Sequence, residues 1–214
     1  MIKQLYTIKQ LGGHLGSYRV KPWMFQYILG YKNRFSIINL EESIKLLKKA
    51  LYFLHRITQK QGKVLFVNTD PKYSKLIEIL AKKSNNYYIN EKWIGGFLTN
   101  WSHIKYSVGS YNKFEKHFLN FMHQNDIIFP KYLKAQKRFE GVQYMKTLPD
   151  AIVLFQSSNH AAITHEARLL KIPTIIFVDT NAPEMHGDFV IPINEKSSLV
   201  MHYLCNLILR ILKK

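Results

Sequence analysis

The sequence has little cysteine and no long apolar run, and these shortages exclude several classes of protein. Its 214 residues include one cysteine, Cys205, so no intramolecular disulfide can form and a disulfide-stapled scaffold is excluded. Cys205 lies among apolar neighbours, where we expect a buried small hydrophobe rather than a nucleophile. No apolar run approaches the ~20 residues of a membrane-spanning helix, and the first residues lack a secretory signal's apolar core. We therefore expect no membrane partner.

Acidic residues are also scarce. The chain has 14 Asp and Glu against 31 Lys and Arg, a formal net charge of +17. Such a charge destabilises an isolated fold by self-repulsion, and its usual counterpart is a polyanion, because each neutralised phosphate releases a counterion. The composition predicts a nucleic-acid partner, with an ordinary basic soluble protein as the alternative.

Motifs for nucleotide, metal and nucleophile chemistry are missing. The phosphate-loop pattern GxxxxGK[ST] does not occur, and "LGGHLGS" at residues 11–17 lacks both the dinucleotide spacing and a preceding strand. The nine histidines are scattered without HExxH, and no G-x-S-x-G elbow is present. We expect no cofactor, no metal and no small-molecule substrate.

Two carboxylates are the remaining candidates for catalysis. Asp179 follows a predicted parallel strand, which is where α/β enzymes place functional groups. No base or nucleophile can be paired with it, so we favour a turn-organising role. Glu166 adjoins His165, but adjacent helical residues do not face each other, and a solvated helix surface is the preferred interpretation.

What the chain does contain is an alternation of strand and helix patterns. Apolar runs that predict buried strands occupy residues 63–68, 150–156, 172–180 and 189–194. Predicted helices lie between and around them: one capped by Asn39 with Glu42 three residues on, one capped by Thr69 or Asp70, one capped by Ser158 or Asn159, and a last one from near Asn194. This rhythm predicts one α/β domain over residues 1–214, with a mostly parallel sheet covered on both faces.

The middle of the chain departs from that rhythm. Residues 98–143 are basic and helical in pattern without a strand signal, and we expect a helical pair that turns near residues 125–130. Such an insertion projects from an α/β body.

Basic residues interleaved with aromatics form the strongest candidate site. Arginine and lysine hold phosphates, and aromatic rings stack on unpaired bases. The candidates come from three segments and the residues just after the third: "GGHLG", "SYRVKPWMFQYILGYKNRF" and "EKWIGGFLTNW". The predicted RNA-binding residues are His14, Arg19, Lys21, Trp23, Lys32, Arg34, Lys92, Trp93, His103 and Lys105. Core packing is the alternative for each aromatic alone.

The stretch "EKWIGGFLTNW" at residues 91–101 raises its own expectations. Gly95 and Gly96 predict a sharp turn where no side chain fits, rather than a phosphate cradle. Trp101 is expected to pack against the sheet, whereas Lys92 and Trp93 face RNA.

Collinear motifs along nearly the whole chain resemble the family of the second protein of the small ribosomal subunit, in its bacterial and organellar form. The segments that carry the resemblance are "GGHLG" (12–16), "VKPWMFQYILGYKN" (20–33), "IINL" (37–40), "KWIGGFLTNW" (92–101), "MKTLPDAIVLF" (145–155) and "HEARLLKIPTIIFVDTNAPEMHGDFVIPIN" (165–194). Lys92 stands where the family motif has arginine, and "FQSSNH" lacks the acidic residue common after that strand.

The resemblance implies a flavodoxin-like α/β fold, a mostly parallel sheet with helices on both faces and a protruding helical hairpin. It implies a non-enzymatic constituent of the small ribosomal subunit that binds small-subunit ribosomal RNA and neighbouring ribosomal proteins in support of translation. It also implies that Asp179 and Asp188 organise turns and loops. A soluble α/β enzyme for an anionic metabolite and a free RNA-binding factor are the alternatives.

Residue usage bears on localisation. Lysine outnumbers arginine, and isoleucine, asparagine, phenylalanine and tyrosine, which have AT-rich codons, are abundant. Together with the family resemblance this predicts an organelle-encoded mitochondrial protein, with a plastid or a bacterial cytoplasm as alternatives.

Overall fold

A computed structural model describes residues 2–124, 130–155 and 160–213 of the chain. Its strands are β1 (Leu15–Gly16), β2 (Ile28–Lys32), β3 (Phe35–Ile38), β4 (Val64–Val67), β5 (Tyr87–Ile89), β6 (Ala151–Leu154), β7 (Thr174–Val178) and β8 (Phe189–Pro192). Its α-helices are α1 (Ile2–Gln10), α2 (Leu40–Gln59), α3 (Ser74–Ser84), α4 (Trp101–Gln124), α5 (Pro130–Phe139), α6 (His160–Leu169) and α7 (Ser198–Leu212), with single 3-10 turns at Pro22–Tyr27, Pro71–Tyr73 and Glu140–Val142.

Strands β4 to β8 form one parallel sheet in the order β5-β4-β6-β7-β8. Numbered by their sequence within that sheet, the strands follow the order 2-1-3-4-5, which is the flavodoxin-like arrangement. The prediction of a flavodoxin-like, mostly parallel sheet is confirmed. Each of the four predicted strands lies within its predicted segment, because continuous β-branched and apolar runs suit strands buried on both faces.

Side chains alternate between two apolar layers on the faces of this sheet. Val64 and Phe66 of β4 pack with helices α1, α2, α3 and α7. Leu65 and Val67 pack on the opposite face with α4, α5, α6 and the 3-10 turn of residues 22–27. Helices therefore cover both faces, as predicted.

A small antiparallel sheet in the order β1-β3-β2 was not predicted from the sequence. Strand β1 is two residues long, and β2 contains Gly30 and a register irregularity between Ile28 and Gly30, so neither carries a strict period-two pattern. The pairing of Leu15 with Ile37 joins residues that are distant in the chain, and such contacts are invisible to local patterns.

The predicted cap Asn39 is confirmed, because its side chain accepts from the Glu41 backbone N–H at 3.1 Å at the start of α2. Asp70 caps the 3-10 turn Pro71–Tyr73 by accepting from the Lys72 N–H at 2.9 Å, and α3 begins after that turn, at Ser74, without a side-chain cap. Helix α7 does not begin near Asn194, because the Ser197 hydroxyl provides the cap by accepting from the Val200 N–H at 3.4 Å.

The basic insertion contains two helices, α4 and α5, which pack on each other. The rings of Tyr111 and Phe139 lie 6.2 Å apart, and Asn112 Nδ2 donates to the Gln143 carbonyl at 3.0 Å. The predicted turn near 125–130 and the predicted caps Ser158 and Asn159 lie in or beside residues outside the described ranges. The insertion's boundaries and projection stay predictions. Within the described ranges, no helix is long and apolar enough to cross a membrane.

Candidate nucleic-acid interface

Asp179 fastens the N-terminal segment to the carboxyl-terminal edge of the parallel sheet. Its buried carboxylate accepts from the Ser17 N–H at 3.1 Å, the Ser17 hydroxyl at 2.6 Å and the Thr180 N–H at 2.7 Å. Lys196 Nζ lies 3.1 Å from Asp179 Oδ2. Burial alone would raise the pKa of Asp179, but these hydrogen bonds outweigh it and lower the pKa below its ordinary value.

Both carboxylates that the resemblance identified as organisers have that role. The carboxylate oxygens of Asp179 are occupied by hydrogen bonds and an ion pair within the fold, so Asp179 is no longer a candidate catalytic residue. Asp188 accepts from the Thr174 N–H at 2.8 Å and from the Thr174 hydroxyl at 3.3 Å, which ties the loop before β8 to the start of β7. The turn-organising interpretation is confirmed.

The contact at Asp179 positions part of the predicted RNA-binding set. The Lys21 N–H donates to the Thr180 carbonyl at 2.9 Å, and Trp23 Nε1 donates to the Ala182 carbonyl at 3.0 Å. The backbone of residues 17–23 is thereby held against the loop after β7, while the side chains of Arg19 and Lys21 are exposed.

The two tryptophans predicted to bind RNA differ in their exposure. Trp23 is half-buried and packs against the apolar layer below the 3-10 turn. Trp93 is 4% exposed, its ring centre lies 5.0 Å from that of Phe97, and its Nε1 donates to Glu166. The prediction that Trp93 faces RNA is wrong, because the ring is part of the core.

Glu166 is a structural residue that was predicted to lie on the helix surface, and this prediction is wrong. It was assigned to a solvated helix surface, but it is 6% exposed. Its two carboxylate oxygens accept from Trp93 Nε1 at 3.0 Å and from the backbone N–H groups of Gly96 and Leu98 at 2.8 Å each. The Thr99 N–H is a longer fourth donor at 3.4 Å. A buried acid facing one indole and three amide donors is satisfied without a cation.

Of the two glycines, Gly96 alone has a conformational requirement, and its reason differs from the one predicted. Gly96 has a φ of +80°, which is a left-handed conformation that strains other residues. A Cβ built on Gly95 meets nothing within 4 Å, so a side chain would fit there. Trp101 packs as predicted: it is partly buried against the apolar layer, and its ring centre lies 5.7 Å from that of Phe97.

The remaining predicted residues fall into two places. One group is exposed around the start of α4: Lys92 precedes the glycine pair, and His103 and Lys105 lie on the first turns of the helix. Lys32 and Arg34 are exposed at the hairpin between β2 and β3.

His14 lies beside the small sheet and is only partly exposed. Burial lowers its pKa below 6.5, and the positive charges of Lys9 and Lys32 lower it further. Both effects disfavour the charged imidazolium form of His14, which weakens it as a ligand for phosphate. His14 nevertheless lies close to two cations, Lys9 and Lys32.

Side chains that sequence reasoning missed also lie at these sites. Lys196 bridges Asp179 and Ser17, with Nζ 2.8 Å from the Ser17 hydroxyl, and its backbone carbonyl accepts from Tyr73. Burial raises the pKa of the neighbouring Glu195 to about 8, with the Asp179 charge as a second cause. Neither belongs to a recognisable sequence motif, because their roles depend on loops brought together by the sheet. The described residues contain no group of three side chains placed to hold a metal ion.

Comparison with known proteins agrees with this geometry. Residues 10–214 match the model of the ribosomal protein S2 family. The chain is 35% identical to the small ribosomal subunit protein uS2m of Marchantia polymorpha, across 97% of this chain and 89% of that protein. It is 34% identical to the small ribosomal subunit protein uS2 of Ehrlichia ruminantium, across 95% and 74% of the two chains, and 34% identical to that of Vibrio cholerae, across 81% and 74%. The chain belongs to the ribosomal protein S2 family.

Proposed function

We propose that this protein is a structural constituent of the small ribosomal subunit that binds small-subunit ribosomal RNA and neighbouring ribosomal proteins in support of translation. Ribosomal protein S2 is a structural, non-enzymatic family, so the α/β-enzyme alternative is set aside. The relatives named above are small-subunit ribosomal proteins, and this chain matches each of them along most of its length.

One observation supports RNA binding most directly: cations that are exposed and not neutralised. Ion pairs in the described part of the chain use Lys45, Lys75, Lys82 and Lys196. Arg19, Lys21, Lys32 and Arg34 are exposed and pair with no described carboxylate. A phosphate backbone is the partner that neutralises such a set, because each contact releases a counterion.

The test is the salt dependence of binding to small-subunit ribosomal RNA. We expect Arg19→Gln, Lys21→Gln, Lys32→Gln and Arg34→Gln together to weaken binding and to flatten the plot of log affinity against log salt by about 0.7–0.9 per lost phosphate contact. The control is Lys48→Gln with Lys49→Gln, two exposed lysines on α2. An unchanged slope in the fourfold variant contradicts this assignment.

For localisation we propose a mitochondrion. The support is the mitochondrial uS2m of Marchantia polymorpha and the AT-rich residue usage, although bacterial uS2 proteins are almost equally similar. An antibody to this chain should detect it in isolated mitochondria, and detection in another compartment alone contradicts the proposal.

A further inference from the structure

The small antiparallel sheet and the segments beside it expose an unusual set of large side chains. Tyr18 is 65% exposed and Tyr31 is 55% exposed. Phe25, Leu29 and Phe35 are also exposed. Contiguous exposed apolar groups on a soluble domain mark an interaction site more often than a bare surface. Trp93 is buried and Trp23 is half-buried, so these rings are more accessible to a partner than either tryptophan.

Tyr18 and Tyr31 form a preorganised pair. Their ring centres lie 6.1 Å apart with planes at 64°, an edge-to-face contact. A partly buried hydrogen bond fixes the backbone beside Tyr18, because Ser36 Oγ donates to the Ser17 carbonyl at 2.8 Å. Tyr31 lies on the neighbouring strand as the cross-strand partner of Ser36. Because the backbone is fixed, little conformational entropy remains to be lost when a partner docks.

The residues before α2 are strongly basic. Glu41, an exposed residue on the first turn of α2 that lines a surface pocket with Lys9 and Leu29, is the first carboxylate side chain in the sequence. Six cations precede it: Lys3, Lys9, Arg19, Lys21, Lys32 and Arg34. The nearby acid from elsewhere in the chain, Asp179, is buried and paired with Lys196, so it does not offset the exposed cations. The surface therefore fits an anionic partner.

Two features disfavour a protein strand as that partner. Strand β2 lies at the edge of the small sheet, where a peptide would add by backbone pairing. The register irregularity between Ile28 and Gly30 breaks the regular row of backbone groups, and Lys32 places a charge at the other end of the strand. Bulges and edge lysines are devices that prevent strand addition.

We propose that Tyr18 and Tyr31 form a stacking platform for unpaired bases of small-subunit RNA, with Arg19 and Lys32 holding the flanking phosphates. This deepens the proposed function and rests on it. Single-stranded RNA can splay its bases onto aromatic rings, whereas an A-form duplex keeps its base faces inside the stack. The platform therefore selects a loop, bulge or single-stranded end rather than a helix.

The test compares Tyr18→Leu with Tyr31→Leu, made together in the full chain, against wild type. Leucine retains apolar bulk but removes the ring faces. The probes are an unstructured single-stranded RNA of twelve nucleotides and the duplex it forms with its complement. We expect the double variant to bind the single strand at least about tenfold more weakly, the loss associated with one stacked base. Duplex binding and the salt slope should not change.

The matched control is Tyr52→Leu with Tyr106→Leu, which removes two exposed tyrosines from α2 and α4. It should bind the single strand as wild type does. Equal single-strand binding by wild type and the platform variant, with RNA still bound, overturns the platform and leaves the proposed function intact. If wild type binds neither RNA form, the proposed function fails as well.

A second measurement separates RNA from protein. Ultraviolet crosslinking of assembled small subunits should join Tyr18 or Tyr31 to nucleotides. Crosslinks from both tyrosines to a neighbouring protein alone, or to neither class of partner, overturn the proposal.

Discussion

Glu166 of α6 accepts a hydrogen bond from Trp93 Nε1 at 3.0 Å, and this contact joins two segments that are separated by the whole insertion. The same carboxylate accepts from the Gly96 and Leu98 backbone N–H groups. The stretch "EKWIGGFLTNW" thus contains a loop whose indole and backbone N–H groups converge on the Glu166 carboxylate. Within this stretch, Gly96 has the left-handed φ and donates to the acid, as does the Trp93 indole.

Removing this acid should be costly for stability. Glu166→Ala removes the acceptor of the buried Trp93 indole and Leu98 N–H and of two partly buried backbone N–H groups, so we expect the free energy of unfolding to fall by about 3 kcal/mol. Urea denaturation measures the loss. The neighbouring substitution His165→Gln, at an exposed position, should change stability by no more than about 0.5 kcal/mol. Equal effects from the two variants would show that the carboxylate is not a structural centre.

The two glycines of this loop should respond differently to alanine. Gly96→Ala forces a side chain into a φ of +80° and should lower the free energy of unfolding by about 1–2 kcal/mol. Gly95→Ala meets open space and should leave stability unchanged or raise it slightly. Thermal denaturation of both variants distinguishes them, and a larger loss at Gly95 would contradict the described loop.

The hydrogen bonds that Asp179 accepts from Ser17 and Thr180, together with its Lys196 ion pair, should make stability depend on pH at the acidic end. The folded-state pKa of Asp179 is lowered below its ordinary value near 3.8, so its contribution is present at neutral pH and is lost as pH falls through the folded-state pKa. Asp179→Asn places an amide N–H₂ beside Lys196 Nζ and should cost about 1–3 kcal/mol at pH 7.

Unfolding curves between about pH 7 and pH 2 measure this effect. The difference between wild type and Asp179→Asn should shrink as pH falls. Glu184→Gln changes an exposed acid of the same loop and is the matched control. A difference that stays constant or grows towards low pH would rule out the charged carboxylate as the source of the stability.

Four of the five strands of the parallel sheet were predicted, because their signals are local; the three-residue strand β5 was missed. Residues 64–67 and 175–178 are continuous apolar runs, and the residues that follow them carry caps and turn-forming side chains. The small sheet was not predictable, since the pairing of Leu15 with Ile37 depends on contacts made across the fold. The start of α7 was misplaced for a related reason: Asn194 donates its side-chain N–H₂ to the Gly12 carbonyl and holds a loop instead of capping a helix.

The candidate site was only half predictable. Exposed cations such as Arg19 and Lys32 follow from composition, because lysine and arginine rarely bury without a partner. Ring exposure does not follow from sequence: Trp93 is core and Tyr31 is surface, although both lie in aromatic, basic stretches. The burial of Glu166 was hidden as well, because its donors come from a loop about seventy residues earlier.

Stoichiometric co-sedimentation tests the central claim most directly. Ribosomes from the source compartment would be separated on gradients at increasing salt, and this chain would be quantified against other small-subunit proteins. We expect one copy per small subunit at low salt and release of the protein as salt rises, because contacts with phosphates provide the binding energy. Absence from the small-subunit peak at low salt would contradict the ribosomal assignment. A fraction of a copy per subunit would indicate a free RNA-binding factor instead of a resident protein.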